Sequence, residues 1–522
     1  RPNLPALAEL AETELRLAGT RIKPATNGPS RGWSANGLSV VSMADGEERE
    51  ITGLPDPSET RINRLRWSPD GKMVSFTNTT PTGIELWVAD VDERKARRLI
   101  GPRVNLAAGN SPVWLSDNER IVVALVPKDR GPEPTKNPVP SAPTTQENLG
   151  KTAPARTYQD LLQNEHDAAL YDHYFTAQIG VVDLKGKLEE IGEAAVFTDI
   201  DPAPDGEHLL VEWRHRPYSY TLPASRFPRT VQIWNMDGEL VHEVAEKPLQ
   251  DSIPIAFGST EAGPRSFQWR ADAPATLVWA EAQDGGDAGV EADIRDAVFS
   301  LSAPFQAEPT KLVELGQRFG GLYWGRGDYA MAASWWWQTR NLRIWHFEPD
   351  AAGEQNLVRE YSFEDRYADP GEPLMRTNEA GRDVIRFTED GQHVFLIGDG
   401  ASEEGDRPFL DKWNIKTMET ERLFRSESPR FSMPIGVLEG DEFIVRHESV
   451  DTPPNYFVRN LETGDERQVT NFEHPTPQLV GIQKEQIRYE RADGVMLTGT
   501  LYTPAGYDAA TDGPLPVLMW AY

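Results

Sequence analysis

The stretch RWSPDGKMVSFTN at 66–78, followed by IELWVAD at 84–90 and ARRLI at 96–100, decides the fold class. Pro69-Asp70-Gly71 is a turn: proline presets the first corner, and glycine accepts the positive φ that closes a hairpin. On either side apolar and polar residues alternate, the period of a strand with one buried face. The pattern returns in weaker form at WLSDNERIVVALV (114–126), APDGEHLLVEW (203–213) and WRADAPATLVWAE (269–281). It appears again at WGRGDYAMAAS (324–334), TEDGQHVFLIG (388–398) and LEGDEFIVRHE (438–448). The starts at 67, 114, 203, 269, 324, 388 and 438 mark seven units, each long enough for four short strands. One such sheet cannot bury both faces alone, and stacking neighbours radially solves that problem. The expectation is a mainly β protein with a seven-bladed β-propeller over 31–484. A pair of β-sandwiches with recurring Asp-Gly hairpins is the competing fold.

Residues 127–154 carry seven prolines in polar sequence and read as an extended surface insertion, continuing to 175. It leads into TYQDLLQNEHDAALYDHYF (157–175), where Thr157 and Asp160 form a capping box ahead of Leu161 and Leu162. A helix is predicted there, exposed and either decorative or a flap over a propeller mouth. After about 484 the pattern changes. Residues 487–508 read as two strands joined at Asp493-Gly494, and PVLMWAY (516–522) as an apolar strand of a sheet covered on both faces. Residues 485–522 are expected to begin a second domain, incomplete at 522, against which an N-terminal segment, 1–30, would pack.

Composition removes several function classes. The 522 residues carry a formal charge of −29, with 53 basic against 82 acidic side chains. Such a surface repels phosphate backbones and anionic headgroups, so neither a nucleic acid nor a membrane is an expected partner. With no cysteine, disulfides, thiolate metal sites and cysteine nucleophiles are excluded. No apolar stretch approaches the roughly 20 residues of a membrane-spanning helix. The chain starts at Arg1 without Met and stops inside an apolar run, and it reads as the soluble front part of a longer polypeptide.

Motifs within the chain do not add up to a catalytic site. Gly28-Pro29-Ser30-Arg31-Gly32 matches G-x-S-x-G, but a nucleophile elbow needs a strand before it and a helix after it, and the flanks here offer no helix. Ser30 is read as a loop serine. The nine histidines contain no H-E-x-x-H, and His166 and His173 are read as solvated or capping groups on the predicted helix. The glycine clusters at 285–287 and 398–400 are turns without a following helix to cradle phosphate. The triplet Trp335-Trp336-Trp337 alternates faces in a strand, giving core packing plus one exposed ring. Neither cofactor nor metal is expected.

Several stretches resemble the prolyl oligopeptidase family of serine peptidases, and within it the glutamyl endopeptidase branch known from chloroplasts and bacteria. They are RTYQDLLQNEHD (156–167), HRPYSYTLPASRFPR (215–229), GPRSFQWRADAPATLVWAEAQDGGD (263–287), GDRPFLD (405–411), PPNYFVRNL (453–461) and the run 491–522. The Trp triplet and Thr498-Gly499 depart from the family pattern, a difference of packing more than chemistry. The resemblance implies a propeller followed by an α/β-hydrolase domain whose Ser-Asp-His triad lies beyond residue 522. It implies a tyrosine hydroxyl in the oxyanion hole, which Trp520-Ala521-Tyr522 places at Tyr522, and peptide substrates cut after Glu. Recognition of that carboxylate needs positive charge, and Arg216, Arg226 and Arg265 in the family-like stretches are the candidates. The missing hydrolase domain is the expected partner. The compartment stays open, with a periplasmic or secreted bacterial protein as the expectation. A non-enzymatic propeller that serves as a binding platform is the alternative.

Overall fold

The computed structural model describes residues 2–3, 6–139, 157–351 and 354–520. Two compact units divide the chain: 1–40, 49–368 and 373–394 form the first, and 41–48, 369–372 and 395–522 the second.

The first unit is built from antiparallel meanders whose strands pair with their sequence neighbours. Ile62–Trp67, Met73–Thr80, Gly83–Asp90 and Lys95–Val104 make the earliest. Two long strands then weld three successive meanders into one thirteen-stranded sheet. In Leu188–Pro202, the front half pairs with Ala177–Asp183 and the back half with His208–Arg214. The shorter weld is Val104 at the end of Lys95–Val104, which pairs with Leu125. Two separate four-stranded sheets follow, spanning Pro264–Leu315 and Arg318–Ser362.

Alternation explains the packing. In Thr276–Ala282 and Tyr329–Trp336 the central residues are buried on both faces, and Val278, Val298, Val313, Trp324, Ala330 and Phe347 form one apolar cluster from both sheets. Sheets that meet face to face in this way bury what neither could bury alone. The expected tight turns are present: Gly71, Gly206 and Gly391 all carry positive φ.

A helix, Glu165–Phe175, sits off the sheets and departs from the expectation twice. Its N-cap is Asn164, whose side chain accepts from the Asp167 amide while Asp167 Oδ2 accepts from the Gln163 amide at 2.8 Å. Thr157 and Asp160 do not cap it. Asp160 has φ +58° and its carboxylate is taken by Arg21 at 2.6 Å, a partner 139 residues away that local sequence cannot reveal. Nor is the helix exposed: Ala168, Leu170, Tyr171, Tyr174 and Phe175 are buried. They pack with Leu17 and Ile22 of a small three-stranded sheet near the N-terminus and with Ala224 and Phe227.

The second unit holds the sheet strands Phe409–Asn414 and Thr420–Arg425, and the four-stranded meander Phe431–Gln468. It also holds the hairpin Gln483–Glu490/Met496–Thr503, joined as expected around Asp493-Gly494, with Gly494 at φ +84°. Within PVLMWAY the described residues 516–520 do not form the expected strand. Residues 514–520 have no regular structure, and Val517, Leu518, Met519 and Trp520 are 82–97% exposed. A strand apolar on both sides needs a neighbour on each edge to take its backbone hydrogen bonds, and none pairs with this segment among the described residues.

Candidate substrate-binding face

The two ends of the sheets differ. At one end the turns are short and held by an aspartate or asparagine that accepts amide hydrogen bonds from residues just ahead. Asp70 accepts from Lys72, Asp117 from Glu119 and Arg120, and Asp205 from Glu207 and His208. The turns between third and fourth strands repeat the device with Asp183, Asn235, Asn414 and Asn460. At the other end of the first unit lie the long connections: 126–176 with the helix, 215–228, 248–263 and 283–295. In the second unit, 399–408 and 449–454 take the same place in their sheets. Binding and catalytic groups favour long loops set on a rigid scaffold, and the family-like stretches 156–167, 215–229 and 405–411 coincide with these loops.

The helix is fixed at this end by polar groups on both sides. Its C-terminal carbonyls would be unsatisfied, but Asn27 and Asn105 supply donors: Asn27 Nδ2 to Tyr174 O at 2.8 Å, and Asn105 Nδ2 to Thr176 O at 2.9 Å. From the 215–228 loop, Arg216 donates to Asp172 at 2.8 Å and to Glu165 at 3.3 Å. Tyr220 donates to Glu165 at 2.7 Å, and Tyr218 to Asp172 at 2.5 Å. Burial and the Glu165 carboxylate push the Tyr220 hydroxyl up to about 12. The Tyr220 and Arg216 hydrogen bonds hold Glu165 below its ordinary range. Burial works against the Arg216 charge, but its two acids more than offset that and raise it. Beneath these groups Tyr171 stacks on Phe175 at 4.3 Å between ring centres, and Tyr218 on Phe227 at 4.9 Å.

A second polar assembly lies under the 248–263 and 283–295 loops. Arg318 reaches both Asp284, at 2.7 and 2.8 Å, and Asp296, at 3.0 Å. Arg295 adds a 2.9 Å contact to Asp284, and Arg265 one of 2.5 Å to Asp296. Both carboxylates are fully buried. Arg318 Nε also donates to Gly258 O at 2.5 Å, which ties the loop above to the network. All three of the Trp335–Trp337 rings are half-buried, so none of them is core. Trp336 carries the Arg295 guanidinium at 3.9 Å, while Trp337 stacks on Phe257 at 3.9 Å and under Arg340 at 3.8 Å. The short connection at 337–340 leaves these side chains at a rim, where arginines take the place of a second sheet.

The structure therefore separates the three candidate arginines. Arg216 is half-exposed and paired with two acids; Arg265 is buried and paired with Asp296. Arg226, in the short 3-10 turn Ala224–Arg226, is half-buried, and its side chain meets no acid among the described residues. Tyr522 and Ala521 lie outside the described residues. Ser30 is a loop residue as expected, its amide donating to Arg21 O at 3.1 Å.

One arrangement was not foreseen. Ser432 Oγ lies 2.7 Å from His447 Nδ1, and Glu466 Oε1 is 3.3 Å from Nε2 of the same ring. Ser432 and His447 face each other across paired strands, a register that reading separate motifs cannot reveal. The order resembles a hydrolytic triad, but both Ser432 and His447 are buried, and burial lowers the His447 basicity. A nucleophile needs an open approach for the carbonyl it attacks. The trio is a structural polar contact within the sheet.

No family model matches the chain. In sequence it is 40% identical to a probable chloroplastic glutamyl endopeptidase of Arabidopsis thaliana; the alignment takes in all of this chain and 57% of that protein. The chain thus spans a little over half the length of that relative. The relative's chloroplast location differs from the periplasmic or secreted one expected, and no helix among the described residues is long and apolar enough to cross a membrane. Among solved structures, an acylaminoacyl peptidase bound to a chloromethyl ketone aligns with 86% of this chain and 59% of its own at 12% identity and TM-score 0.44. The β-propeller domain of the Trilobed protease from Pyrococcus furiosus aligns with 80% of this chain and 99% of its own, at 11% identity and TM-score 0.39. The sequence identity holds from one end of the chain to the other, and the chain is homologous along its whole length to proteins named glutamyl endopeptidases.

Proposed function

We propose that this chain is the propeller portion, with the opening hairpin of the hydrolase domain, of a serine peptidase that cleaves peptides after Glu. The 40% identity over the whole chain carries this reading. In it the repeated meanders are the seven blades, the region from about 485 begins the hydrolase domain, and the triad lies beyond residue 522. The elbow serine attacks the peptide carbonyl, histidine acts as base and then acid, and aspartate orients it. The long-loop end faces the reaction, and the propeller restricts entry to short or unfolded peptides, which domain opening admits.

Two features support the reading. The apolar run at 515–520 lies uncovered, as a strand awaiting a sheet would. Three of the family-like stretches, 156–167, 215–229 and 405–411, fall on long loops of their sheets, where a substrate would arrive. The test is to purify the natural full-length gene product, label it with a serine-directed fluorophosphonate, and assay quenched peptides carrying a single Glu. Labelling and cleavage after Glu are expected. A product that neither labels nor cleaves is a binding platform instead.

Tyr522 is proposed to donate its hydroxyl to the developing oxyanion. Tyr522→Phe in the full-length enzyme should lower kcat by about 10²-fold with little change in KM. An unchanged kcat would remove Tyr522 from the mechanism.

A further inference from the structure

Among Arg216, Arg226 and Arg265, charge compensation gives different answers. A guanidinium attracts a substrate carboxylate in proportion to the charge it has left to offer. Arg216 already lies between Asp172 and Glu165, and a third carboxylate there would meet two negative neighbours before one positive one. Arg265 is 7% exposed, and its partner Asp296 is shared with Arg318, so a ligand would have to enter a closed ion network and leave its water behind. Among the described residues Arg226 pairs with no acid.

The backbone around Arg226 is held on every side. Its amide donates to Pro223 O at 2.9 Å, and its carbonyl accepts from the Gln250 amide at 2.9 Å. The Ala224 amide donates to Ala18 O at 2.8 Å, and the next residue, Phe227, is wholly buried among Tyr171 and Tyr218. With the turn fixed, only the rotamer freedom of the side chain is lost when an ion pair forms, and not that of the backbone. In a chain of formal charge −29, an arginine with no ion-pair partner among the described residues still has its charge to offer.

From this we infer that Arg226 is the group that recognises the glutamate side chain of the substrate, with Arg216 and Arg265 as positioning residues. Arg216 fixes the helix against which the 215–228 loop rests, and Arg265 belongs to the ion network under the neighbouring loops. The inference rests on the proposed Glu-specific peptidase reading and narrows it to one side chain.

The experiment uses the full-length gene product and two quenched peptides that differ only by Glu or Gln at the cleaved position. Arg226→Ala should lower the Glu-over-Gln ratio of kcat/KM by about 30-fold or more, through loss on the Glu peptide alone, as when one partner of a desolvated charge pair is removed. Arg226→Lys should restore part of the ratio, since it keeps the charge but not the two-pronged geometry. If Arg226→Ala is poorly folded by thermal melting, Arg226→Gln carries the same test. Wild-type selectivity that survives in Arg226→Ala or Arg226→Gln overturns the inference and leaves the peptidase reading intact. A wild-type enzyme that cuts the Glu and Gln peptides equally, or cuts neither, overturns both.

Discussion

The two ends of the same strands are held by different physics. At the short-turn end the closing contacts are mainly local: Asp70 accepts from its own Ser68 hydroxyl at 2.6 Å and from the Lys72 amide at 3.1 Å, and Gly71 supplies the positive φ, with one backbone bond from the Asp70 amide to Asn118 of the next turn at 2.8 Å. At the long-loop end the connections rest on residues far off in sequence. Arg216 reaches back 44 residues to Asp172, and Asn27 reaches forward 147 residues to Tyr174 O. Local contacts allow a turn to be copied from sheet to sheet with little variation. Distant contacts allow each loop to differ, and a binding face needs that freedom.

If the contrast is real, damage at the two ends should differ in size. The largest effect is expected at Asp284, where two guanidiniums meet a fully buried carboxylate. Asp284→Ala leaves Arg318 and Arg295 short of a partner in a closed site and should cost about 3–5 kcal/mol. A thermal melt should shift down by roughly 10 °C. A shift within error would mean that the loops above do not depend on the ion network, and the contrast would fail at its strongest point.

A smaller loss is expected at Arg216, which is half-exposed and therefore screened. Arg216→Ala should lower stability by about 1 kcal/mol at most. Its sharper readout is local: cleavage by a probe protease within 157–176 should speed up while cuts elsewhere do not. Equal protection of that segment in the mutant would show that the aromatic stack of Tyr171, Tyr218 and Phe227 holds the helix without the ion pair.

This division also sets what the sequence could reveal. The short-turn end was legible because its determinants lie within a few residues; Pro69-Asp70-Gly71 specifies its own geometry. The turns built on Asp183, Asn235, Asn414 and Asn460 carry the same kind of local signal two strands later. The long-loop end was not legible. Asp160 looked like a capping residue, but Arg21 claims it, and the helix starts instead at Asn164. Arg265 and Arg226 are alike as letters, and only the fold pairs one with Asp296 and leaves the other without an ion pair among the described residues. The strand expected at 516–522 is not formed by the described residues 516–520 for a related reason: apolar composition suggests a covered sheet, but composition alone does not supply pairing partners.

The smallest effect should come from the short-turn end, and pH makes it measurable. The Ser68 hydroxyl and then the Lys72 amide hold the Asp70 carboxyl below its ordinary range, against a burial contribution that raises it. A carboxylate whose pKa is lowered on folding contributes stability above its unfolded value, near 4, and loses that contribution as pH falls through the folded value. Asp70→Asn keeps the shape and an acceptor oxygen but removes the ionisation. Wild type should exceed it by about 0.5–1 kcal/mol at neutral pH, the worth of an exposed charge-assisted turn. The gap should close as pH drops below about 4, where wild type also becomes neutral. If instead the gap persists in acid, the turn depends on Asp70 geometry and not on its charge. If the loss approaches that of Asp284→Ala, the Asp70 side chain supports more than its own turn, because the backbone bond from the Asp70 amide to Asn118 survives the substitution and cannot account for it.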